Sequence, residues 1–288
     1  MYKRALVLSG GAGKGAYQSG ALRHLLHDLK IHYDILCGVS VGALNCSLLS
    51  MFNKGEESEA SDLLLKIWNE LDSSKIYKRW FPFGRFHALW NKSFYDSSPM
   101  HKLINSSLDL EKIRSTKRKI AVGTVSLSSG KYTIFTQDSD FFIKAVIASA
   151  SFPGMFTPVK FMGQLWTDGG IKEISPIKQA IDMGADEIDV IITSPEVRVK
   201  RFFDNPTTVD ILNRVIDLST DKIMSNDIEK VHMYNKLANA GLTDKKFVKI
   251  NILRPDYNLI ENLLDFSPIK IKEMIQKGYN DAKYKFIM

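Results

Sequence analysis

The sequence predicts an α/β protein, a three-layer α/β/α arrangement with a mostly parallel central sheet. Three observations predict it. Short apolar runs alternate with segments of helical period along most of the chain, the order that parallel strands with crossover helices require. Twice within the first 50 residues such a run breaks into a glycine-rich turn and then into a helix-compatible stretch. The composition, 288 residues with 44% hydrophobic and 25% charged, is that of a globular chain long enough to bury one large core.

Residues 3–9 are mostly aliphatic up to Gly10-Gly11 and read as a buried strand entering a tight loop. Ala21, Leu22, Leu25, Leu26 and Leu29 then recur at helical spacing over 16–29. A second unit repeats the pattern, with a strand at 33–37, a glycine-bounded turn at 38–42 and a helix over 43–52. Further strands are expected at 120–127, 131–136, 188–193 and 246–253. Helices are expected at 141–150, 176–183, within 208–240 and at 268–286. The apolar run 161–166 leads into Asp168-Gly169-Gly170, a strand-end turn. No repeat, low-complexity tract or Gly/Ser/Pro linker divides the chain, so residues 1–288 are expected to form a single domain. Residues 197–288 carry no recognised motif and are expected to act as scaffold.

Charge and cysteine usage bound the function. A formal charge of +7 suits anionic surfaces, but the basic residues are spread along the chain and match no nucleic-acid motif, so no nucleic-acid partner is expected. Cys37 and Cys46 lie in apolar sequence and are expected to be buried free thiols. Tyr2-Lys3-Arg4 leads into an apolar run too short for a secretory signal, and no run of about eighteen apolar residues occurs. The protein is expected to be cytoplasmic, with peripheral membrane association open to it.

The loop Gly10-Gly11-Ala12-Gly13-Lys14-Gly15 lies between a strand and a helix, where backbone N–H groups can bind an anion. A nucleotide P-loop is excluded, because the two positions that need Gly and Ser/Thr hold Leu8 and Gly15. A dinucleotide fingerprint fits better, through Gly11, Gly13 and Ala16 with Asp34 downstream for a ribose. The third reading is an oxyanion hole, in which the same N–H groups hold the negative oxygen of a tetrahedral intermediate.

Gly38-Val39-Ser40-Val41-Gly42 is a G-x-S-x-G sequence in a strand-to-helix setting. A serine forced onto a sharp turn needs small flanking residues, and Gly38 and Gly42 supply them. None of the six histidines, His24, His27, His32, His87, His101 and His232, stands in a turn or small-residue setting that suggests a site, so a different base is wanted. Asp168 is the candidate, with two glycines leaving its carboxylate open to close approach.

Together these blocks resemble the patatin-like phospholipases over roughly the first 190 residues. The glycine loop matches through Gly10, Gly11, Lys14 and Gly15, and the elbow as Gly38-Val39-Ser40-Val41-Gly42-Ala43-Leu44-Asn45. Asp168-Gly169-Gly170 matches the family's acid, preceded by Ala148-Ser149-Ala150-Ser151-Phe152-Pro153. The resemblance implies hydrolysis of phospholipid or lysophospholipid esters by a Ser–Asp dyad without histidine, Ser40 as nucleophile and Asp168 as base. It implies an oxyanion hole within Gly10, Gly11, Ala12 and Gly13, and no cofactor or metal. The loop departs from the family by placing Ala12 where a third consecutive glycine is common. Ala12 is expected to donate its N–H without needing a positive φ.

Substrate contact is expected from two places. Lys14 is either an anion contact or a supporting residue. Residues 76–95 are crowded with aromatic and basic side chains, among them Trp80, Phe81 and Phe83, and form a lid, a membrane-docking insertion or an irregular segment packed on the core. Arg198, Lys200 and Arg201 with Phe202 and Phe203 make a smaller patch of the same kind. The competing function is a nucleotide- or phosphate-binding α/β protein that uses the 10–15 loop, with Ser40 as a helix N-cap.

Overall fold

The computed structural model describes residues 2–80, 92–196, 205, 208–243 and 246–286. Among the described residues eight strands form one sheet: β1 (Arg4–Leu8), β2 (Ile35–Gly38), β3 (Lys119–Ser126), β4 (Tyr132–Thr136), β5 (Val159–Phe161), β6 (Gln164–Asp168), β7 (Glu187–Ile191) and β8 (Lys249–Leu253). Their order is β5-β6-β3-β2-β1-β7-β8, with β4 also paired to β3. The run β3-β2-β1-β7-β8 is parallel, and the pairings of β4 with β3, β6 with β3 and β5 with β6 are antiparallel.

The central strands are apolar on both faces because both faces are covered. Leu6 and Leu8 of β1 point into one core and Ala5 and Val7 into the other, the two-residue alternation of a strand. On the Leu6/Leu8 face lie α1 (Gly15–Leu22), α2 (Val41–Leu49), α3 (Glu57–Asn69), α5 (Ser98–Ser107), α7 (Phe142–Ser149) and α10 (Pro268–Lys285). On the Ala5/Val7 face lie α8 (Ile177–Asp182) and the long α9 (Thr208–Asn239). Two short helices, α4 (Ser73–Ile76) and α6 (Leu110–Ser115), sit in the connection between α3 and β3.

The sequence-predicted strands and helices recur with bounds moved by a few residues. Two differences are physical. The first helix is α-helical only to Leu22 and continues as a wider turn with π-type bonding over Arg23–Asp28. The run 161–166 is a hairpin, not one strand: Met162 and Gly163, at φ 49 and 71, turn β5 into β6. Cys37 and Cys46 are free and buried, and burial pushes both thiols up.

Candidate active site

β1 and β2 are parallel neighbours, with Leu8 opposite Gly38, so the glycine loop after β1 and the serine turn after β2 emerge side by side. The serine turn is a forced one. Ser40 has φ 57 and ψ −129, a conformation that costs a non-glycine residue roughly 1–3 kcal/mol. Its flanks admit no side chain: a Cβ at Gly38 would stand 2.4 Å from the carbonyl oxygen of Gly42, and one at Gly42 would stand 2.2 Å from that of Leu8. The turn is clamped by Ser149 from the end of α7, whose Oγ accepts the Ser40 N–H at 2.9 Å and donates to the Gly123 carbonyl at 2.7 Å.

Asp168 ends β6, antiparallel to β3 and opposite Thr124. Its N–H donates to the Ser151 carbonyl at 3.1 Å, and its carboxylate accepts the Gly170 N–H at 2.7 Å. The residue is 1% exposed. Burial pushes its carboxyl up to about 7, against the opposing pull of hydrogen bonds from the Ser40 hydroxyl and the Gly170 N–H. A carboxylate that would be a feeble base at its ordinary value is thereby placed near neutrality.

The glycine loop splits by role. Gly10 donates its N–H to the Ile174 carbonyl at 3.1 Å and Gly13 to that of Leu263 at 3.0 Å, so neither N–H is free for an oxyanion. Gly10 serves by lacking a side chain, since a Cβ there would lie 3.2 Å from Ser40 Cβ. Among the described residues none accepts from the N–H of Gly11 or Ala12, and both residues face the same cavity as Ser40 and Asp168. The expectation that Ala12 avoids a positive φ is wrong: its φ is 49, so the third-glycine position does demand the left-handed region and Ala12 is strained there.

That cavity is open to solvent at its mouth, and about 1430 Å³ of empty space, part of it open solvent, lies within its outline. From Ser40 it runs along α2 past Val41, Leu44 and Leu48, between walls from α3 and α5. Ile216 and Thr220 of α9 and Leu263 and Phe266 close another side, so the C-terminal third contributes directly to the site. Lys14 is 3% exposed and lines the cavity, which places it inside rather than on an outer membrane-facing surface.

Two features weigh against nucleotide binding. Asp34 precedes β2 and is bound to Lys54 and to the Arg4 N–H, at the end of the sheet opposite the glycine loop. Ser40 stands at the N-cap position of α2, yet its side chain makes no capping bond.

A sequence profile described as Patatin-like phospholipase matches residues 6–181, which spans both glycine turns and Asp168. The chain belongs to the patatin-like phospholipase family. It is similar to "Probable lipid hydrolase 463L" of Invertebrate iridescent virus 6, 26% identical over 278 residues that cover 87% of this chain and 92% of the viral one. It is also similar to "Calcium-independent phospholipase A2-gamma" of Mus musculus, 26% identical over 204 residues, 62% of this chain and only 26% of the mouse protein. Among solved structures, VipD from Legionella pneumophila aligns with 98% of this chain and 66% of that one, at a TM-score of 0.48 and 13% identity.

In this patatin-like chain the block Ala148 to Pro153 is a brace for both site residues. Ser149 holds the Ser40 backbone, and the Ser151 carbonyl receives both the Asp168 N–H and the Thr167 hydroxyl. Asp227 of α9 had no sequence signal. Its carboxylate accepts the N–H groups of Ile174 and Ser175 at 3.2 and 3.4 Å, and Ile174 in turn receives Gly10. Trp80 is half-buried, donates its indole N–H to the Ser93 carbonyl and is not part of the cavity wall. Phe81, Phe83 and the patch at 198–203 lie outside the described residues. His24 and His27 bind Asp28, His32 binds Glu57, His101 meets Ser97, and none of these lines the cavity.

Proposed function

We propose that the chain is a lipid acyl hydrolase of phospholipase A or lysophospholipase type, cleaving carboxylic esters of membrane lipids through an acyl-enzyme on Ser40. The observation that carries this is the meeting, in one apolar cavity, of a strained serine, a buried aspartate titrating near 7 and two N–H groups with no described acceptor. Family membership and the printed name of the viral relative support the same reaction class.

Ionised Asp168 takes the Ser40 proton as Oγ attacks the ester carbonyl carbon. The carbonyl oxygen, now negative, is held by the N–H groups of Gly11 and Ala12, and Gly10 leaves room for it. Asp168 then passes the proton to the departing alcohol, which leaves the acyl group on Ser40. Water repeats the sequence on that ester, and fatty acid and free Ser40 result. The acyl chain lies along α2: Val41 to Leu48 spans about 10 Å of apolar wall at 1.5 Å per residue. The headgroup faces the mouth, and the enzyme works peripherally at a membrane surface. No cofactor is called for in this scheme.

The test is fatty-acid release from mixed phospholipid vesicles and hydrolysis of a soluble nitrophenyl ester, with chelator present, by wild type, Ser40→Ala and Asp168→Asn. Activity in wild type and its loss in both variants is expected. Activity that survives Ser40→Ala would falsify the nucleophile assignment, and tight nucleotide binding indifferent to Ser40→Ala would restore the phosphate-binding alternative.

A further inference from the structure

α9 has two unlike faces. Ile216 and Thr220 line the cavity, and Met224, Asp227 and Val231 continue that face into the protein. The opposite face is exposed and carries apolar side chains at both of its ends. Ile211, Val215 and Leu218 are 49, 52 and 49% exposed and follow i, i+4, i+7 spacing, so they form one row on the helix surface. The same row continues through Lys222, Ser225 and Glu229 to Met233, 64% exposed, and Lys236, with Leu237 beside it. Among the described residues fifteen large hydrophobic side chains are exposed, and five of them stand on this helix. Such a concentration on one face, unlike scattered single residues, marks a surface that is covered in use.

We propose that this row of α9 lies in the interface of a lipid bilayer and seats the cavity at the lipid surface; this rests on the lipid-hydrolase function above. Three features select a bilayer as the occupant. Ile211, Val215 and Leu218 at one end and Met233 and Leu237 at the other are two apolar patches separated by Lys222, Ser225 and Glu229; Ile211 to Met233 spans about 33 Å at 1.5 Å per residue, a length suited to lying flat in an interface rather than entering a pocket. The row's charged members, Lys222 and Lys236 against Glu229, and the chain's net +7 favour an anionic headgroup layer. The same turns that turn Val215 and Leu218 outward turn Ile216 and Thr220 inward, so a bilayer on one face lies about one helix diameter, roughly 10 Å, from the cavity on the other.

The experiment compares the full chain with the triple variant Ile211→Gln, Val215→Gln, Leu218→Gln, which removes the apolar row and keeps good helix formers. Partition is measured by co-sedimentation with phosphatidylcholine vesicles containing phosphatidylglycerol, alongside fatty-acid release from them and hydrolysis of a soluble nitrophenyl ester. Partition is expected to fall roughly a hundred-fold and vesicle hydrolysis with it, while soluble-ester kcat/KM stays within about twofold. Unchanged partition overturns the assignment. So does a wild-type dimer that the variant dissolves without any change in partition, because the row then covers a second copy. Should wild type hydrolyse neither substrate while partition still depends on the row, the docking surface stands and the hydrolase function falls. Should the triple variant misfold, the pair Met233→Gln, Leu237→Gln decides: a fall of about tenfold in partition with soluble-ester activity intact supports the surface, and no fall overturns it.

Discussion

Replacing Asp168, the proposed base, should stabilise the protein while removing its activity. In the native state Asp168 holds its proton up to about pH 7, whereas in the unfolded chain it releases it near 3.8. Its folded pKa is raised, so its favourable contribution is fully present below pH 3.8. Between 3.8 and 7 unfolding releases a proton, and stability falls as pH rises. The interval is about three pH units at about 1.4 kcal/mol each, so by pH 8 ionisation of Asp168 costs about 4 kcal/mol relative to its neutral form. Asp168→Asn keeps an oxygen for the Gly170 N–H and offers an amide to Ser40, but never ionises. Urea unfolding of both proteins from pH 4.5 to 8 should therefore show a gap of about 1 kcal/mol at the acid end that widens to about 4 kcal/mol at pH 8. Glu173, which burial pushes up to about 7, tilts both curves alike and cancels in the difference. A gap that does not grow with pH would refute the buried-carboxyl argument, and with it the claim that burial tunes the base.

Gly42→Ala drives a methyl to 2.2 Å from a backbone oxygen of β1, and should cost more than about 3 kcal/mol in chemical denaturation and abolish ester hydrolysis. Ser149→Ala removes the acceptor of the Ser40 N–H and strips the Gly123 carbonyl of its donor, so it should cost about 1–3 kcal/mol and lower kcat more than it raises KM. Ala12→Gly should gain about 0.5 kcal/mol, the left-handed penalty relieved less the greater freedom of glycine in the unfolded chain. A loss in that variant would mean that the Ala12 methyl makes a packing contribution larger than its strain.

The frame was legible because strand alternation and glycine placement are local signals. Leu6 and Leu8 part from Ala5 and Val7 by simple parity, and Gly38 and Gly42 are required by contacts within the turn they flank or with the adjoining strand. α3 and α5 went unread in the sequence between residues 52 and 120, and the rest of what escaped depends on distant partners or short elements. Gly13 looks like a free donor until Leu263, 250 positions away, is folded against it. Asp227 has an ordinary helical context, and only packing reveals that it holds Ile174. α4 and α6 are four and six residues long, each started by an aspartate cap, Asp72 or Asp109, too short for a periodic pattern to register. Met162 gave no turn signal, since a left-handed methionine is tolerated only because the hairpin closes around it.

Ser40, Ala12 and Asp168 share a property that ties the site's energetics to its chemistry: each occupies a state its own segment would not choose. Ser40 and Ala12 sit at positive φ, and Asp168 is a carboxyl denied water. Each is held by groups from elsewhere in the chain, Ser149 on Ser40, Leu263 next to Ala12 and Ser151 on Asp168. Such strain persists only where the surroundings over-determine it. The clamps must therefore be more stable than the site they hold, so a clamp substitution should lose stability and activity together, whereas Asp168→Asn should lose activity and gain stability. The opposite signs separate a residue that acts from a residue that positions.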